Sequence, residues 1–384
     1  MKKRTKLLHA GRSPKDHHGI VNPPVYHAST ILYPSVAAME EDQRTPFDGV
    51  SYGLRGTPTT FALEDAITEL ENGYRTIAVC SGLAAVTAPL LAFLKSGDHL
   101  LIPDNVYGPT RQFCRKKLSR YHIETTFYDP MIGADIFNLF KDNTKVLFME
   151  SPGSLTFEVQ DIPAMAAAAR AKGIVTIADN TWSAGHFFRP LDHGVDISIQ
   201  AVTKYIGGHS DLMMGSITTN EEAFLPVKDE CSSIGFHAAP DDCYLALRGL
   251  RSMPTRLVRH QETGLILANW LAARPEVATV LHPALPSCPG HEIWKRDFGG
   301  SSGLFGFILK DGYSKAAVAA MLDHMELFPM GYSWGGFESL IMTYGQTPKR
   351  VSPSGQLLRI HAGLEDPDDL IADLEKGLER LRAT

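Results

Sequence analysis

The sequence lacks an excess of positive charge. Its 37 lysines and arginines are outnumbered by 43 aspartates and glutamates, a formal net charge of −6. Binding to nucleic-acid phosphates normally requires a basic face, so this balance argues against nucleic acid as the main partner. Cysteine is scarce: Cys80, Cys114, Cys231, Cys243 and Cys288 are odd in number and scattered. No pair has metal-ligand spacing or forms a disulfide framework, which fits a reducing compartment. Repeats and low-complexity segments are missing. Long apolar runs are missing too, apart from Thr76 to Leu94, which carries no charged residue and approaches the length of a membrane span. That stretch is interrupted by Cys80-Ser81-Gly82 and contains Pro89, so it reads as a buried strand, a turn and a buried helix. The basic start (Lys2, Lys3, Arg4, Lys6) is followed by no apolar core, which argues against a signal peptide. The expectation is a soluble cytoplasmic protein that uses no membrane.

What is present is an ordinary globular composition, 44% hydrophobic and 21% charged over 384 residues, with room for more than one domain. Residues 1–55 are rich in Pro, His and turn formers with little helical period, and read as an extended arm that crosses another surface. From Thr60 the pattern alternates between helix and strand. Phe61, Leu63, Ala66, Ile67 and Leu70 recur at helical spacing, with Gly73 expected as the stop. Arg75 to Cys80, His99 to Ile102, Lys145 to Glu150, Ile174 to Ala178 and Asp196 to Ala201 read as strands. Asp161, Pro163 and Gly173 punctuate a helix between two of them. Strands that are apolar without alternation, separated by helices, predict a parallel sheet covered on both faces. From about Gly249 long helices dominate, with strands at Gly303 to Leu309 and Leu357 to His361. The last helix opens on Pro367, Asp368 and Asp369 and closes on Lys376, Arg380 and Arg382, as the macrodipole favours.

In such a sheet ligands bind beyond the carboxyl ends of the strands. Three places on that rim stand out. Ser81-Gly82-Leu83 ends a strand and opens a helix, presenting free N–H groups to an anion. Asp179 ends an apolar strand, where a carboxylate is desolvated and needs a cationic partner, unless it merely caps the next turn. Lys204 leaves an apolar strand into a glycine-rich loop, where a desolvated lysine loses pKa and suits a Schiff base. An arbitrary lysine would be a solvated surface residue; the conjunction on one rim is what counts. A phosphate cradle, a partner for a pyridinium and a lysine are the parts a pyridoxal phosphate site needs. His17-His18 and His209 form no metal set, and Arg111 to Arg120 reads as a solvated helix face.

Three segments, TKYIGGHSD around Lys204, YGLRGTPTTFALE from Tyr52 and GYSWGGFESL from Gly331, together resemble the Cys/Met-metabolism family of pyridoxal-phosphate enzymes. IGAD (132–135), ESPGS (150–154), DNTW (179–182), HPALP (282–286), GSSGLF (300–305) and LRIHAGLED (358–366) extend the resemblance over nearly the whole chain. It implies an α/β protein of PLP fold type I: a mostly parallel seven-stranded sheet with flanking helices, an N-terminal arm and a smaller α+β C-terminal domain. The implied division is 1–55 for the arm, 56–250 for the cofactor domain and 251–384 for the C-terminal domain, assembled as a homotetramer, a dimer of dimers. By motif, Lys204 and Tyr107 are the implied catalytic residues, with Tyr107 stacking on the cofactor ring. Asp179 pairs with the ring nitrogen; Gly82, Leu83 and Thr203 contact the phosphate; Tyr52 reaches the phosphate of a neighbouring subunit. Arg359 holds the substrate α-carboxylate, a bidentate task suited to guanidinium. Two departures stand against the family pattern. Leu54 occupies the place of an arm arginine, with Arg55 one residue later, and Ala201 occupies the place of a phosphate-binding serine.

The cofactor alone does not choose the reaction. Where γ-active relatives carry a glutamate, this chain has Tyr332-Ser333-Trp334, taken as substrate-binding; two aromatics in place of a carboxylate would narrow the distal pocket. The resemblance therefore implies a carbon–sulfur lyase acting by α,β-elimination on L-cystathionine, giving homocysteine, pyruvate and ammonia. Alternatives are γ-elimination of cystathionine or methionine, a broad β-elimination of cysteine S-conjugates, amino-acid racemisation, and a non-catalytic regulator.

Overall fold

The computed structural model describes all residues except 46 and 347–354, and side-chain burial is not described at 345 and 346. Seven strands form the main sheet: β1 (Arg75–Val79), β2 (His99–Pro103), β3 (Glu124–Tyr128), β4 (Thr144–Glu150), β5 (Val175–Asp179), β6 (Ile197–Ala201) and β7 (Gly215–Thr219). Their order is β1-β7-β6-β5-β4-β2-β3. Pairs β2–β3, β2–β4, β4–β5 and β5–β6 are parallel, and β7 alone runs antiparallel between β1 and β6. This is the seven-stranded, mostly parallel sheet that the apolar strands and the resemblance predict. A second, antiparallel sheet has the order β10-β11-β9-β8, from β8 (Val277–Leu281), β9 (Leu304–Leu309), β10 (Leu340–Gln346) and β11 (Gln356–His361).

The helices are α1 (Lys3–His9), α2 (Val36–Arg44), α3 (Pro58–Glu71), α4 (Gly82–Phe93), α5 (Gly108–Lys116), α6 (Ile162–Arg170), α7 (Glu221–Ser233), α8 (Pro240–Ala272), α9 (His291–Asp297), α10 (Lys315–Leu322) and α11 (Pro367–Ala383). Their starts follow local chemistry. Ser81 Oγ accepts from Ala84 N–H at 3.1 Å and Asp161 Oδ1 accepts from Ala164 N–H at 3.3 Å, each satisfying one of the orphan donors at a helix start. Pro58 and Pro367 sit in the first turns of α3 and α11, where no N–H is missed. One stop differs from expectation. α3 ends on Asn72 in the left-handed conformation (φ 57°), not on Gly73. Gly73 is needed for space: a Cβ there would lie 2.3 Å from Thr218 Cγ2 on β7.

The reading of residues 1–55 as one extended arm requires correction at its beginning. α1 packs on α3 and α8, and Leu7 is buried with Leu63, Ile67 and Leu250. Lys6 pairs with Glu69 of α3 at 3.1 Å, and Arg251 of α8 donates to the carbonyls of Leu7 and Ala10, both at 2.7 Å. A single apolar contact plus backbone carbonyls leaves no periodic signal. The segment after it stays open: Ile20, Val21, Leu32, Val36 and Met39 are exposed, and α2 buries no residue. α8, 33 residues long, runs through position 250 and packs on α3, β8, β9 and α11, tying the two sheets to one helix. Thr76 to Leu94 is β1, a turn and α4, and among the described residues no helix is long and apolar enough to cross a membrane.

Candidate active site

The parallel strands deliver their carboxyl ends to one rim, and the lysine, the aspartate and the helix start arrive there together. β6 ends at Ala201, and the chain turns through Val202 and Thr203 to Lys204. Lys204 Nζ donates to Ser333 Oγ at 2.6 Å and lies 5.3 Å from the Trp334 ring. Burial first, then the Arg359 cation, lower its pKa from 10.5 to about 8, with Asp179 opposing. At neutral pH the proton on Lys204 is therefore loosely held.

Asp179 ends β5. Its Oδ1 accepts from Thr181 N–H at 3.0 Å and from Thr181 Oγ1 at 2.5 Å, so the turn-capping reading is correct for that oxygen. No hydrogen bond reaches Oδ2 among the described residues, leaving it for an external donor. Burial raises the Asp179 pKa, against the Thr181 bonds and Lys204. Thr181 Oγ1 in turn accepts from Ala201 N–H at 2.9 Å, tying the two strand ends.

Gly82 lies on the other side of Ala201. A Cβ at Gly82 would lie 2.6 Å from Ala201 Cβ, so only glycine lets α4 approach the β6 end this closely. Ser81 caps the Ala84 N–H, and no hydrogen bond takes the N–H groups of Gly82 and Leu83 among the described residues. These donors, at the positive end of the α4 dipole, suit an anion. Thr203 offers less than expected: its hydroxyl donates to Met214 O at 3.1 Å and accepts from Met214 N–H at 2.9 Å, so its proton is committed.

Tyr107 precedes α5 with its ring part-exposed, and its N–H donates to Glu150 Oε2 at 2.8 Å. Glu150 ends β4 in register with Asp179 on β5. Burial and the Asp179 charge push the Glu150 pKa well up. Arg359, on β11, sends a guanidinium nitrogen to Ser333 O at 3.0 Å and stacks over Tyr344 at 5.1 Å. Lys204, Asp179, Tyr107 and Arg359 are close enough for their charges to perturb one another.

Beneath the rim lies a second buried carboxylate. Glu71 accepts from Asn180 Nδ2 at 3.3 Å, from Ser198 Oγ at 3.1 Å and from Gln200 Nε2. It thereby joins the residue after Asp179 to the strand that leads to Lys204. Burial pushes its pKa up to about 7. Lys3 of α1 covers this network, donating to Gly185 O at 3.0 Å and His186 O at 2.9 Å.

Two further expected site residues are exposed. Tyr52, expected at the phosphate of a neighbouring subunit, is 49% exposed and borders a cavity with Ala28, Thr57 and Ala238. Tyr332 is 87% exposed, whereas its neighbour Trp334 packs on Tyr205 at 5.4 Å. Arg55 lies over the Phe47 ring at 5.8 Å. Glu150, Thr181 and Glu71 were not singled out from the sequence as site residues. Glu150 carries the signal that marked Asp179, an acid ending an apolar strand; the other two carry none without the fold. The residues fit a phosphorylated pyridine aldehyde: free N–H donors for the phosphate, an unshared carboxylate oxygen for the ring nitrogen and a part-buried, weakly basic lysine.

Comparison with known proteins bears on the same site. A family model described as Cys/Met metabolism PLP-dependent enzyme matches residues 4–379. The chain is 52% identical over 379 residues to a putative cystathionine beta-lyase of Rhizobium johnstonii, covering 97% of this chain and 95% of that protein. It is 45% identical over 389 residues to the cystathionine beta-lyase MetC of Escherichia coli, covering 98% of each. The crystal structure of metB from Corynebacterium glutamicum superposes with a TM-score of 0.91 at 30% identity, covering 99% of this chain and 98% of that one.

Proposed function

The chain belongs to the Cys/Met-metabolism family of PLP-dependent enzymes, and from that premise we propose that it is a cystathionine β-lyase. It is a carbon–sulfur lyase that takes L-cystathionine through α,β-elimination to homocysteine, pyruvate and ammonia. Pyridoxal 5′-phosphate, when bound, supplies the electron sink that makes the Cα proton removable. The Gly82 and Leu83 N–H groups would hold its phosphate, Asp179 Oδ2 would pair with its ring nitrogen and keep it protonated, and Tyr107 would contact its ring.

The substrate α-carboxylate goes to the Arg359 guanidinium, which presents paired donors. Lys204 removes the Cα proton as general base, its low basicity matching neutral operation. Ser333 Oγ steadies Nζ while Lys204 changes protonation. The Cβ–S bond then breaks, and the departing sulfur takes the proton from the Lys204 ammonium to leave as homocysteine. The three-carbon remainder takes up water and ends as pyruvate and ammonia. The observation that carries this reading is the part-buried Lys204, hydrogen-bonded to Ser333 and close enough to the Arg359 cation and the Asp179 carboxylate for both to shift its pKa.

The working form is a cytoplasmic homotetramer, a dimer of dimers, that needs neither membrane nor nucleic acid. Supporting it, the segment after α1 exposes Leu32 at 87% and Val36 at 66%, apolar surface that a neighbouring subunit would cover. Residues 1–55 then supply subunit contacts, 56–250 hold the cofactor and 251–384 complete the substrate pocket, with Tyr52 reaching the neighbour's phosphate. The test is a product assay on purified protein with L-cystathionine. Pyruvate with homocysteine is expected; 2-oxobutyrate with cysteine replaces the assignment by a γ-lyase, and D-alanine from L-alanine replaces it by a racemase.

A further inference from the structure

Strand β11 sends alternate side chains to one face, so Arg359 and His361 point the same way. Arg359 reaches the carbonyl of Ser333. His361 reaches the next corner of the same loop: its Nε2 lies 3.1 Å from Gly335 N and 3.2 Å from Gly336 O. Two adjacent glycines have no side chains with which to hold a conformation. Gly335 sits at φ +88°, and a Cβ there would lie 3.0 Å from the Lys204 carbonyl carbon, so the corner rests directly on the lysine backbone. Ser333, in the same loop, is held at φ +84°, a conformation a serine seldom adopts unaided.

The ring of His361 is fully buried, 5.1 Å from His260 and 5.9 Å from Tyr205. Burial and its cationic neighbours keep it neutral. One neutral nitrogen makes one of the two bonds at a time, accepting from Gly335 N–H or donating to Gly336 O; either tautomer grips the same corner. Arg359 must also turn donors toward the substrate, whereas His361 has no second task among the described residues: its Nδ1 is buried without a partner.

We propose that His361 is a positioning residue for the elimination. By fixing the Gly335–Gly336 corner it keeps Ser333 on Lys204 Nζ and Trp334 beside it. The inference rests on the reading that Lys204 is the reacting lysine.

The experiment compares the holoenzyme with His361→Phe, which keeps the ring and loses the bonds, and His361→Gln, whose amide reaches the Nε2 position. For His361→Phe the expected result is a fall of roughly ten- to hundredfold in kcat with a smaller change in KM, the cost of one lost hydrogen bond and the buried backbone group it leaves unsatisfied. The pH titration of the visible band of the lysine-bound cofactor shifts with it, because Ser333 no longer holds Nζ. His361→Gln restores both to within roughly fivefold of wild type. Unchanged kcat and an unchanged spectral titration in His361→Phe overturn the inference. If His361→Phe does not fold, His361→Asn, too short to reach the corner, takes its place, and equal behaviour of the Asn and Gln variants overturns it. Failure of the wild type to make pyruvate and homocysteine defeats the proposed activity instead, and the spectral titration still decides the role of His361.

Discussion

Replacing Lys204 by methionine should make the cofactor-free protein more stable at neutral pH while abolishing its activity. The folded protein lowers the lysine pKa from 10.5 to about 8, chiefly by burial. Because the folded value lies below the unfolded one, the unfolded chain binds the proton more tightly. The penalty is complete below pH 8, and stability rises with pH between 8 and 10.5. At ~1.36 kcal/mol per pH unit the gap costs the folded state about 3 kcal/mol at pH 7. Methionine keeps most of the apolar stem and removes the charge. Against this, the Lys204–Ser333 hydrogen bond is lost, about 1 kcal/mol, and Asp179 loses a neighbouring cation. The net gain is about 1–2 kcal/mol, a melting temperature higher by a few degrees. The assay is thermal and urea unfolding of cofactor-free wild type and Lys204→Met at pH 7 and pH 10.5. A variant less stable at pH 7, or an advantage that persists undiminished at pH 10.5, refutes the reasoning.

Gly82→Ala drives a methyl group into Ala201, an overpacking cost of about 1–3 kcal/mol; cofactor retention on dialysis should fall, and Ala201→Gly in the same chain should recover it. Arg359→Lys exchanges a paired donor for a point charge, so KM for L-cystathionine should rise roughly tenfold or more, with little change in the absorption of the bound cofactor. Glu71 has its pKa raised from 4.5 to about 7, so the folded state binds that proton more tightly and loses stability as pH climbs from 4.5 to 7. Glu71→Gln removes this slope, and melting temperatures from pH 5 to pH 8 should move in favour of the variant.

What the sequence disclosed follows from which strands are buried on both faces. KVLFME, IVTIA and DISIQA read as strands because a parallel sheet covered by helices turns them into continuous apolar runs. β7, Gly215–Thr219, escaped because its composition is small and polar although every residue is buried. Thr218 is paired inside the sheet, its Oγ1 lying 2.9 Å from Thr76 Oγ1, a partnership that only the fold creates. β3 (ETTFY) lies at the sheet edge with mostly part-exposed side chains. At the site, Lys204 and Asp179 were legible as charges ending apolar strands, and the resemblance supplied their roles. His361 was not, since its partners are backbone atoms of Gly335 and Gly336, some 25 residues away.

The docking of α1 sets a timetable for the nascent chain. Arg251 grips the carbonyl of Leu7 across 244 residues of sequence, so during synthesis the first helix is made long before its second partner, α8, exists. At about 5–20 residues per second it waits roughly ten to fifty seconds. The helix has only seven residues, too few to be stable in water alone. Until then Leu7 has Leu63 and Ile67 of α3 beside it but lacks Leu250, and Lys3 has no loop to hold before Gly185 and His186 emerge, so the network around Glu71 closes only when α1 returns to it.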